Sequence, residues 1–193
     1  MLSGLEGKLT AVVADALAAR DDLTVEQSAG PATDPAAGSG VVRVALTSFD
    51  AEAVFEPGRQ VLVGGGGQAR SRRVAPVVFA ATLRFVRKPA TGGDLAAAAA
   101  EARRLLLDDL AVAGHALADE RVRSGAAFAV AGDPGFEVRA FGLVTGTVAA
   151  EPDGGVVRGE LACGGRAIVW PPGPPADEGV IASVDLDVRP GDP

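Results

Sequence analysis

The sequence predicts an α+β fold: a mixed, largely antiparallel sheet packed by an N-terminal helix and a long central helix, with extra C-terminal β-hairpins. Three observations lead there. Apolar residues recur at helical spacing in two places, near the N-terminus and in the middle of the chain. Strand-like alternation fills the stretch between them. After the second helix only alternating segments remain, divided by turn residues. The 193 residues suffice for one domain with a core that needs neither disulfide nor metal.

The first helix opens on Ser3 and Glu6, which have the spacing of a capping box. Leu5, Leu9, Val12, Val13, Ala16 and Leu17 form its apolar stripe, and Arg20 suits the C-terminal end of the dipole. Residues 28–40, with two prolines, predict a flexible loop. Val42, Val44 and Leu46 then alternate with Arg43, Ala45 and Thr47 as a half-buried strand. Val54 and Phe55 read as extended, Pro57-Gly58 as a turn, and Gln60 to Val63 as a short strand. Residues 64–73 read as a glycine-rich hairpin tip. The strongest strand runs from about Val74 to Arg87, with Val77, Phe79, Ala81, Leu83 and Phe85 on one side.

Asp94 is the expected N-cap of the central helix, whose stripe runs Leu95, Ala98, Ala102, Leu105, Leu106, Leu110, Ala113, Leu117. Glu101, Arg104 and Asp108 are spaced to pair on its wet face. Further strands are expected over Ala127 to Val130, Phe136 to Ala149, Val156 to Cys163 and Arg166 to Trp170. Asp133-Pro134-Gly135, Asp153-Gly154-Gly155 and Gly164-Gly165 give the hairpin signals between them. A proline-rich loop at 171–179 leads to a last strand, in which Val180, Ala182, Val184, Leu186 and Val188 alternate with Ser183, Asp185 and Asp187.

Composition narrows the function classes. A hydrophobic fraction of 48% is too high for a disordered chain. Net charge of -7 argues against nucleic acid as the main partner, since phosphate neutralisation needs a basic face. Aromatics at 4%, with no Tyr, disfavour a stacking platform for bases or sugars. One Cys and one His leave no disulfide framework and no multi-histidine metal site, and no cofactor is expected. Lys8 and Lys88 are the only lysines, a bias toward arginine typical of GC-rich coding, so alanine runs carry no argument. The N-terminal stretch lacks a basic region ahead of an apolar run, and no stretch is long and apolar enough to span a bilayer. A cytoplasmic protein with no membrane partner is expected.

Few residues invite chemistry. Gly64-Gly65-Gly66-Gly67, followed by Arg70, Arg72 and Arg73, lies between strands and lacks the Lys-Ser/Thr of a phosphate loop. It reads as a hairpin tip with a basic rim, or as arginines that dock on a neighbouring subunit's acidic surface. His115 has no nucleophile elbow to serve. Cys163 reads as a buried thiol, with a Cys-His pair as the alternative. Asp177, Glu178, Asp185 and Asp187 read as a solvated acidic face, with a weak cation site as the alternative. Trp170, beside Pro171-Pro172, is a core plug or an interface anchor.

The order of elements resembles the tail-tube terminators of phage tails and phage-tail-like contractile injection systems. The likeness spans Met1 to Ala149: a short helix over Leu5 to Leu17, strands through Ala75 to Val86, a long helix with Leu105, Leu106, Leu110 and Leu117, and a β-rich remainder. It implies a hexameric ring that closes the distal end of a tube and meets the sheath. It also implies homo-oligomerisation, tube and sheath proteins as partners, and no catalytic site. The region from Val156 to Arg189 is longer than a minimal terminator needs, which leaves a cap, neck or baseplate adaptor as alternative roles. A small binding module built on Trp170 and the proline loop, and an enzyme using Cys163 or His115, are the readings from other classes.

Overall fold

A computed structural model describes residues 2–28, 34–51, 60–65, 68–73, 75–125, 128, 136–149 and 155–169. It is α+β, as the sequence predicts. The elements run α1 (Leu2–Ala16), β1 (Leu23–Gln27), β2 (Gly40–Ala51), β3 (Gln60–Gly65), β4 (Gln68–Arg73), β5 (Ala75–Arg87), α2 (Leu95–Ala118), α3 (Glu120–Arg123), β6 (Phe136–Val148) and β7 (Val157–Val169). A five-stranded sheet in the order β1-β2-β5-β7-β6 forms the body, and β3 and β4 make a separate two-stranded ribbon. All neighbours in the large sheet are antiparallel except β1 and β2, which run parallel.

Both long helices lie on one face of this sheet. Leu5, Leu9 and Val13 of α1, Leu17 just beyond it, and Ala102, Leu106, Leu110, Ala113 and Leu117 of α2 meet Val42, Val44, Phe79, Leu83, Phe85 and Leu161 in one core. Strand alternation decides which side chains join. Val77, Phe79, Ala81, Leu83 and Phe85 are all buried, while Val78 and Arg84, one step out of phase, are exposed. Phe141 stacks on Phe79 with ring centroids 6.2 Å apart and meets Phe128 at 5.3 Å. No helix among the described residues is long and apolar enough to cross a membrane.

Asp94 caps α2 as expected, accepting from the Ala96 and Ala97 amides at 2.9 and 3.3 Å. The far end is corrected: the stripe predicts a helix through about Arg121, but α2 stops at Ala118 and Asp119 caps the separate turn α3. The capping box of α1 is also corrected. Ser3 lies inside the helix, and the Glu6 carboxylate accepts from the Leu46 amide at 3.4 Å, next to the bulge in β2. Seating the apolar stripe on β2 brings Glu6 to an amide from the sheet, and tertiary packing overrides the local motif.

Three strand assignments change. β1 was not expected, because five residues are too few for alternation to stand out. Gly64 and Gly65 belong to β3, and residues 68–73 form β4 instead of a long hairpin tip. Gly164-Gly165 is no hairpin. One strand, β7, runs straight through it, with Gly165 opposite Phe79 on one side and Phe141 on the other. A Cβ on Gly165 would sit 2.5 Å from Phe79 Cζ and 2.6 Å from the Ala140 carbonyl oxygen. The glycine is there so that a ring can cross the strand, a packing need that has the same sequence signature as a turn. The expected segments at Val54-Phe55, Pro57-Gly58, Asp133-Pro134-Gly135 and Val180 to Val188, and the loop at 171–179, lie outside the described residues. So does the Ala127 to Val130 strand, apart from Phe128, which sits in a 3₁₀ turn.

Candidate functional surfaces

Alternation along β5 places Arg87 on the inward face, two residues beyond Phe85, and there the guanidinium is only 2% exposed. Its Nε donates to Asp109 Oδ2 at 2.6 Å, and its Nη1 donates to Asp22 Oδ2 in the turn between α1 and β1. Nη2 adds a bond to Asp22 Oδ1 at 3.4 Å. Asp109 is fully buried on α2, and Arg20 approaches its Oδ1 at 3.4 Å without completing a hydrogen bond. Gly40 makes room for the group: a Cβ there would meet Leu23 Cδ1 at 2.7 Å and Arg87 Cγ at 2.9 Å.

The electrostatics follow from burial. Hydrogen bonding to Arg87 holds the Asp22 carboxyl below its ordinary range. Desolvation pulls Asp109 upward, against Arg87 and Arg20. Arg87 keeps its proton because two carboxylates outweigh the burial of its own charge. The cluster ties the α1–β1 turn, the end of β5 and the middle of α2 to one point. Its geometry is that of a clamp, since every strong donor is already directed at a protein acceptor. Sequence reasoning passed over both Arg87 and Asp109. The available signal was an arginine in phase with five buried positions, and an aspartate beside Leu110 on an apolar helix stripe.

None of the described helices lies on the opposite face of the sheet. Arg43, Arg84, Arg158 and Arg166 lie on it by alternation, together with Glu160. Arg43 pairs with Glu26 at 2.8 Å, and Arg84 with Glu160 at 3.4 Å. A cleft of about 570 Å³ opens between Ser28, Asp34, Arg43, Arg84, Thr147 and Arg158. At this end Val41, Val86 and Val156 form a small second core. By the same register Glu26, Asp50 and Glu137 also fall on this face, so it carries charges of both signs.

Of the sequence candidates, Arg70, Arg72 and Arg73 fall on β4, across from Val63, Val61 and Gln60 of β3. The backbone of the β3–β4 ribbon lies near no other described element. Trp170 and the acids Asp177, Glu178, Asp185 and Asp187 lie outside the described residues. His115 is exposed in the last turn of α2. Cys163 is buried, and loss of solvent pushes its thiol up to about 12, so it is a neutral thiol at pH 7. Among the described residues no group of three His, Cys, Asp or Glu side chains is placed to hold a metal ion. No protein-family model matches the chain, and no curated protein matches it in sequence.

Proposed function

We propose that this chain is a structural ring subunit that terminates or caps the tube of a phage-tail-like contractile assembly. The observation that carries the reading is the β3–β4 ribbon, which leads into β5 yet forms a sheet of its own, its backbone near no other described element. A lone two-stranded ribbon is marginal in water, and its stability has to come from a covering surface. A neighbouring copy in a ring supplies one. Three of the six residues of β4 are arginines, so an acidic chain of the same kind is a complementary neighbour. The order of elements resembles tail-tube terminators, and the buried, neutral Cys163 favours a scaffold over a thiol enzyme.

The test is assembly. Light scattering and electron microscopy of the purified protein, alone and with a tube protein, should show a closed ring seated on tube ends. Replacing Arg70, Arg72 and Arg73 together with Glu should abolish it while leaving the circular dichroism unchanged. A monodisperse monomer at high concentration, even beside tube protein, would overturn the reading.

A further inference from the structure

The C-terminal part of α2 is apolar all round. From Leu110 to Ala118 it carries no Asp, Glu, Lys or Arg. Leu110, Ala113 and Leu117 are buried in the core, yet Ala111, Val112 and Ala118 are exposed on the other side. A surface helix keeps charge on its wet face, and one that is apolar all round is covered on both sides. Alanine content carries no weight in this chain, but large side chains flank the same bare face. Leu107 is 45% exposed and Val112 39%. Leu143 of β6, 42% exposed, borders the face at Gly114, where a Cβ would come within 4.0 Å of its Cδ2. Arg103, one turn before Leu107, is drawn off to the Ala149 carbonyl oxygen at 2.7 Å.

We propose that a second copy of this chain packs its own α2 antiparallel on this face, across a two-fold axis between Ala111 and Val112. The inference stands apart from the ring reading, because it uses a different surface. Arg104, Leu107, Ala111, Gly114 and Ala118 follow one another at alternating spacings of three and four, the seam of a helix pair. With the axis there, Leu107 falls opposite the gap between Gly114 and Ala118 of the second copy. Those small residues leave a hole for the leucine and let the helix axes approach to about 8 Å.

Charge selects this register. The same axis sets Asp108 against His115 of the second copy, and Arg104 against its Asp119, each pair made twice by symmetry. A parallel arrangement would set Arg104 on Arg104 and Asp108 on Asp108. Sliding the antiparallel helices by one heptad toward their N-termini would again oppose Asp108 to itself. Exposed pairs of this kind fix partner and register, while the seated leucine supplies the affinity.

The test uses the full chain. Sedimentation velocity should show wild-type copies in pairs. Leu107→Glu should raise the dissociation constant about tenfold or more with unchanged circular dichroism, since Leu107 lies outside the core. His115→Asp, and separately Asp108→Lys/His115→Lys, set like charges against each other and should each weaken self-pairing. Mixed in equal amounts, those two variants should pair with each other, because every contact across the axis then joins opposite charges. Ala111→Cys, beside the axis, should be joined to its own copy by a short bismaleimide, with Cys163 shielded by burial. The same cysteine in the Leu107→Glu chain should not. Variants that self-pair as well as wild type, a mixture no better than its components, a cysteine that does not cross-link, or a monomeric wild type would each overturn the proposal. Rings that form with α2 uncovered would sink this inference alone. Pairs that form through α2 but never close into a ring would sink the functional reading alone.

Discussion

Helix α2 carries two arginine–carboxylate clusters that differ in one respect, and the difference organises the molecule. Arg104 sits on the solvent side and bonds Glu101 at 2.7 Å and Asp108 at 2.8 Å, both within one turn. Arg87 sits under the helix and bonds Asp109 and Asp22, which are 22 and 65 residues away in sequence. Both arginines join two acids. The first cluster stays in water, where an ion pair adds little beyond the hydration it replaces. The second lies where no water compensates a lost partner, so removing one member leaves a buried charge. Distance and bond count do not separate them; solvent does.

The largest test of that contrast is Arg87→Met. It should destabilise the protein by about 3–5 kcal/mol, read as a shift in the urea midpoint, because Asp109 loses its only hydrogen-bonded cation. The double variant Arg87→Met/Asp109→Leu should recover much of the loss, since an apolar pair needs no partner. If the single and double variants were equally unstable, the cost would lie in packing and not in an orphaned charge. Gly165→Ala should cost about 1–3 kcal/mol by forcing Phe79 from its seat, with no ionic component and hence no salt dependence.

A smaller effect with a definite sign comes from Asp22. Its carboxyl is held below its ordinary value of 3.8, so its stabilising contribution is complete above that value and fades as pH falls through the lower folded-state value. Asp22→Asn should therefore be less stable than wild type at pH 6, with the gap closing below about pH 4. A gap that stays constant to pH 2 would mean that charge at Asp22 is not what Arg87 uses. At the small end, Arg104→Ala should leave the melting temperature within experimental scatter at physiological salt. A clear drop would remove the distinction between the two clusters.

The legibility of each cluster follows the same line. Glu101, Arg104 and Asp108 are visible in the sequence because helical spacing alone brings them together. The Arg87 cluster needs a strand end, a turn and a helix midpoint to converge, and no local pattern encodes convergence. The glycines show the same limit from the other side. Gly155 marks a real turn, with φ of 75°, while Gly164-Gly165 lies inside a strand that a ring must cross. Glu6 likewise matched a capping motif yet bonds a strand amide 40 residues on. The candidate surfaces were legible only as composition: three arginines after a glycine run, with nothing to say that they lie on a ribbon separate from the main sheet.

The sequence by itself determined the class of the fold, the two helices and the buried face of β5, because periods of 3.6 and 2 record which side of an element meets water. It also determined the Asp94 cap, a bond closed within three residues. Tertiary structure alone decided that β1 joins the sheet in parallel, that β7 is one strand, and that Arg87 and Asp109 meet without solvent. Each of those depends on which distant segments share a boundary. That is settled by the burial of whole faces at once, and single residues along the chain do not record it.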